Sequence, residues 1–157
     1  MSNRSSFALI ALTALVGLIL TLVPLPYWLA IFRPAFLVLV VLYWSTMTPF
    51  SAGIGLGFVS GLALDVFEGS LLGEHALALA FLTYLAVRLH LLMRAKPLFE
   101  QSIFVFAGLL VYEFLLWVID GWSGHPTSGP ARWVHTLSGG LIWPVIAGFL
   151  GRFHTPQ

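Results

Sequence analysis

Apolar residues run along this chain in six long stretches, at 7–23, 34–47, 52–67, 75–93, 102–119 and 133–151. Continuous runs of this kind lack the alternation of membrane β-strands and predict helices apolar on nearly every side. Breakers fall at their ends: Pro24 and Pro26 close the first, Pro34 opens the second, Pro49 marks a turn, and Gly69 and Gly73 flank the start of the fourth. The second and third stretches are short and separated only by 48–51, which predicts either a tight helical hairpin or helices that extend beyond these bounds. The first is longer than the apolar core of a signal peptide and ends in Val23-Pro24-Leu25-Pro26, with no small-residue cleavage site. It reads as an anchor that stays. Leu98, Phe99 and Glu100, after Arg94 and Lys96, read as a small amphipathic step on the membrane surface, and 121–131 as a mobile outer connection.

Composition turns helices into membrane spans. Of 157 residues, 59% are hydrophobic and 8% are charged, against about a quarter charged in an ordinary soluble domain. Seven Lys and Arg with six Asp and Glu cannot clothe a soluble surface, and they offer no basic face to a nucleic acid. The absence of cysteine excludes disulfides, thiolate metal sites and a thiol nucleophile. At about 20 residues per span, the length accommodates six crossings. The expected fold is therefore an all-α integral membrane protein, one transmembrane domain over 1–157, with six helices in a compact bundle. Arg4, Arg94, Lys96 and Arg152 share one side, and Arg88 can snorkel toward it. Arg33 and Arg132 lie on the other, with Glu68, Glu74 and Asp120. The basic bias predicts both termini inside, and it puts Tyr27, Trp28, Trp122 and Trp133 at the outer interface.

Few residues carry chemistry. Gly53, Gly57 and Gly61 recur every four positions and lead to Asp65. Such a stripe lets a neighbouring backbone approach closely, and packing within the chain is favoured over a seam with another chain. Asp65 near the outer end of its span predicts a charge-assisted pair with Arg33, with a catalytic acid as the weaker reading. Glu113 lies deeper and has no basic residue at the same depth. Two readings stay open for it: a carboxyl neutralised or hydrogen-bonded in place, or a ligand or proton site in a wet cavity. His75, His90, His125, His135 and His154 show no metal-ligand spacing, so neither a metal nor a cofactor is expected. Trp143-Pro144, after Gly139 and Gly140, predicts a kinked, closely packed last helix.

These residues together resemble a known family. Phe32-Arg33-Pro34, Leu42-Tyr43-Trp44, Gly57-Phe58, Gly61-Leu62 and Asp65, then Gly69-Ser70, Leu72-Gly73, Ala76-Leu77 and the late Leu141-Ile142-Trp143-Pro144, resemble the rod shape-determining MreD family. Ala35 departs from the Asp or Asn often found after Arg-Pro in that family. The resemblance implies a non-enzymatic, multi-pass subunit of the bacterial inner membrane, within the elongasome that controls side-wall peptidoglycan synthesis and rod shape. It implies MreC as direct partner through packing of transmembrane helices. MreB, RodA and penicillin-binding protein 2 would be indirect partners. It also implies a bundle similar to the S-component of energy-coupling-factor transporters, with an outward pocket. The expected mechanism is that small-residue contacts hold the MreC helix. The alternative is an S-component-like subunit that binds or transports a small solute.

Overall fold

The computed structural model describes residues 3–125 and 129–153; His154 lies outside them. Among the described residues the chain is all helical, in seven helices: α1 Asn3–Leu22, α2 Tyr27–Ala30, α3 Phe36–Met47, α4 Ile54–Glu68, α5 Glu74–Arg94, α6 Leu98–Ser123 and α7 Ala131–Gly151. Three of them, α5, α6 and α7, are long and apolar enough to cross a membrane; α1 and α3 contribute shorter apolar helices.

The centre of the fold is α3. Every side chain from Leu37 to Thr46 is buried, and the helix touches α1, α4, α5 and α7. Its uniformly apolar sequence fits that place, since a helix greasy on all sides must be covered on all sides. Twelve residues span about 18 Å, well short of a hydrocarbon layer of about 30 Å. Its two ends are built differently. At the C-terminal end, Trp44 Nε1 donates to Thr13 Oγ1 (2.8 Å), and buried Trp143 donates from Nε1 to Gln101 Oε1 (3.3 Å) beside Tyr43. At the N-terminal end the helix opens on a cavity.

Glycine sets how closely the helices approach. A Cβ at Gly57 would collide with Thr83 and the Leu79 carbonyl, and one at Gly61 with the backbone of His75 and Ala76. The stripe is therefore spent on α5 at Gly57 and Gly61, as the favoured reading of packing within the chain predicts. Gly53 does not share this contact; it is the residue before α4, near the Pro49 carbonyl. Gly17 lets α1 approach α3 at Leu37 in the same way. There Thr21 Oγ1 donates to the Gly17 carbonyl and accepts from the Leu37 amide.

Three local expectations change. The second and third stretches do not pack as a close hairpin, because α4 lies mainly against α5 while α3 sits against α1 and α5. Leu98, Phe99 and Glu100 are the first turn of α6, not a separate surface step. Pro97 precedes that turn, where a missing N–H is harmless, and Lys96 pairs with Glu100 at 2.8 Å. At the far end α6 continues past 119 to Ser123, so part of the expected outer connection is helix; Gly124, at φ 74°, ends it. α7 runs continuously through Pro144.

Candidate functional site

The N-terminal ends of α3, α5 and α7 meet the C-terminal parts of α1, α4 and α6 around a cavity of about 290 Å³. Thr21, Arg33, Pro34, Ala35, Val38, Leu64, Glu68, His75, Tyr112, Glu113, Leu116, Ala131, Arg132 and His135 line it. Its walls are half polar in a chain that is otherwise almost wholly apolar.

The first wall follows from how α5 starts. Gly73, with φ 102°, precedes the helix and has no side chain to cap it. Asp65 supplies the cap from α4. The turn of 69–73, entered through Gly69 at φ 68°, brings the carboxylate over the first turn of α5. There it accepts from the amides of Gly73 (2.8 Å), His75 (2.9 Å) and Ala76 (3.4 Å), from Ser70 Oγ (3.0 Å) and from His75 Nδ1 (2.9 Å). A buried carboxylate at a helix N-terminus is stabilised by those free N–H groups and by the helix dipole. The expected pair with Arg33 is not formed. The Arg33 guanidinium donates instead to the Val23 carbonyl, because the connector between α1 and α3 folds back over α1. Asp65 is a structural cap, and its bond fixes the His75 ring with Nε2 turned toward Glu68, 3.6 Å away.

The second wall pairs α6 with α7. Arg132, in the first turn of α7, places Nη2 2.5 Å from Asp120 Oδ2 and Nε 3.5 Å from Glu113 Oε2. Glu113 and Asp120 lie seven residues apart, two turns along the same face of α6, which one guanidinium can bridge. The expectation that Glu113 lacks a basic neighbour is corrected: α6 extends further and α7 starts earlier than the apolar pattern indicates, so Arg132 reaches down to it. Glu74 lies within hydrogen-bonding reach of Asp120 from α5. His135 Nδ1 donates to the Arg33 carbonyl at 2.7 Å, which ties α7 to the entry of α3 and fixes the imidazole tautomer.

The structure thus brings Arg33, Pro34 and Glu113 to one cavity, with Asp65, Gly69 and Gly73 building its edge. Tyr43, Trp44 and Trp143 form the core at the other end, remote from it. In the sequence His75 and His135 stand out only as histidines without metal-ligand spacing, Asp120 and Arg132 only as outer-side charges, and Tyr112 not at all. One signal was present: Asp120 and Arg132 carry opposite charges at the two ends of a single connection.

Comparison with known proteins gives a consistent answer. The family described as "rod shape-determining protein MreD" matches residues 1–153. A curated relative, the rod shape-determining protein MreD of Haemophilus influenzae, is 33% identical over 132 residues, covering 82% of this chain and 80% of its own length. No solved structure matches.

Proposed function

The chain belongs to the rod shape-determining MreD family, and from that membership in a cell-shape family we propose that it is a non-enzymatic, multi-pass inner-membrane subunit of the bacterial elongasome. In this reading α1 and α3–α7 form six crossings with both termini inside, and the cavity opens outward. Its direct partner is the transmembrane helix of MreC, and through MreC it acts on side-wall peptidoglycan synthesis by MreB, RodA and penicillin-binding protein 2. A subunit with little chain on either side of the membrane acts by biasing a partner between two states through differential contacts. The family match along nearly the whole chain carries this reading.

Because Gly57 and Gly61 are filled by α5, the seam for the partner lies on side chains that face outward. The exposed Leu12, Leu15 and Ile19 of α1 recur at helical spacing and form one such stripe. The absence of native cysteine makes the test clean. Single cysteines at 12, 15 and 19, and on the outward faces of α4 and α7, are crosslinked to cysteines along the MreC helix in native membranes. A periodic pattern of crosslinks on an outward face is expected. No crosslink from any face would overturn the partnership.

The alternative, an S-component-like solute-binding or transport subunit, has one observation in its favour, the half-polar cavity. It requires the solute to be moved across vesicles containing this chain with an energising partner.

A further inference from the structure

We infer that the cavity at the N-terminal end of α3 binds an organic cation through a primary ammonium group, seated between Glu113, Glu68 and the ring and hydroxyl of Tyr112. The inference does not depend on the partnership with MreC.

Three observations carry it. The first is charge. Five of the chain's six carboxylate side chains, Asp65, Glu68, Glu74, Glu113 and Asp120, are gathered at or directly behind this one cavity, with Arg33, Arg132, His75 and His135 as the basic groups that line it. Two of the five are already engaged: Asp65 by the start of α5, and Asp120 by Arg132 at 2.5 Å. Glu113 is not. Among the described residues its carboxylate accepts no hydrogen bond and meets Arg132 Nε only at 3.5 Å. Glu68 also lines the cavity, with its nearest polar neighbour, His75 Nε2, at 3.6 Å.

The second observation is Tyr112. It is 3% exposed, lines the cavity, and makes no hydrogen bond through its hydroxyl among the described residues. The residue is buried, but its hydroxyl is not sealed off and opens on the cavity. Its ring lies 6.4 Å from the His75 ring, so an aromatic wall stands beside the two carboxylates. Carboxylate oxygens with an aromatic face and a free hydroxyl are what an ammonium group requires: acceptors for its three N–H donors and a negative π-face.

The third is size. About 290 Å³ lies at the lower end of ligand pockets, which run from about 300 to 1,000 Å³. Leu64, Leu116 and Val38 supply an apolar wall for a short alkyl stem. The enclosed part suits a small amine or a single alkylammonium side chain. A free amine and a lysine side chain of a partner polypeptide present the same chemistry.

The test is carbodiimide coupling in native membranes, read by peptide mass spectrometry. An activated carboxyl condenses with a primary amine to form an amide, and the water lost is taken up by the carbodiimide as its urea. With n-butylamine as probe, coupling at Glu113 should saturate with concentration. Coupling at half-exposed Glu100, paired with Lys96 at the opposite end of α6, should rise linearly. Tyr112→Phe should raise the half-saturating concentration several-fold, and Glu68→Gln about tenfold, with Glu100 unchanged. With no probe added, a small-amine adduct on Glu113 assigns a free amine as the occupant, and a crosslinked lysine peptide assigns a partner polypeptide. Linear coupling at Glu113, indistinguishable from Glu100, would overturn the inference.

Discussion

At the residue scale, the fold turns on a few positions whose neighbours leave no latitude. Gly61→Ala drives a Cβ into the α5 backbone, which cannot yield as a flexible side chain does. Overpacking of this kind costs about 1–3 kcal/mol. Thermal unfolding of the purified chain should show the loss, whereas Gly55→Ala, with nothing near its Cβ, should leave the transition in place. Ser45 has the opposite sign. Its hydroxyl is buried without a hydrogen-bond partner, and an unsatisfied buried group costs about 1–3 kcal/mol. Ser45→Ala should therefore raise the unfolding temperature, and a lowered one would show that the hydroxyl is satisfied in the membrane. Asp65 was visible in the sequence as a costly charge, but its partners were not. Periodicity tells which face of a helix a residue occupies and is silent on which neighbour that face meets. The cap on α5 was legible in principle, from an acid one turn before a helix end and a turn bounded by Gly69 and Gly73.

At the element scale, the apolar stretches located six of the seven helices among the described residues, because Pro and Gly break the chain where the helices end. They missed α2, whose four residues are too few to show a period. They also set the ends of α6 and α7 too far apart, since Asp120 and Arg132 look like loop residues until they are seen to neutralise each other. That pairing predicts a specific fault in α6 and α7. Arg132→Ala leaves Glu113 and Asp120 buried with their shared cation removed, and breaking a buried ion pair from one side costs about 3–5 kcal/mol. Amide hydrogen exchange should rise along 113–123 and at the start of α7. Adding Glu113→Gln to that variant should restore part of the protection; no restoration would mean that the two residues act independently. The link from α1 to α3 through Thr21 is neutral and short-ranged. Thr21→Val should loosen the entry of α3 by about 1 kcal/mol without reaching α6.

At the scale of the whole molecule, the division of labour is between two ends. One is closed by Tyr43, Trp44 and Trp143 around the finish of α3. The other is held open by polar groups that would be costly in lipid and are here turned inward to a cavity. Hydropathy and family resemblance reached the class of protein and its role in cell shape. They could not reach the cavity, whose lining comes from the connector before α3 and from the ends of helices that periodicity does not place side by side. In the proposed function that cavity opens on the outer side of a bundle with both termini inside. The most direct measurement is labelling of intact cells with a membrane-impermeant maleimide, using Gly129→Cys beside the cavity rim and Lys96→Cys at the opposite end. The account predicts that position 129 is labelled in intact cells and position 96 only after lysis. The reverse pattern, or equal labelling of both, would contradict it.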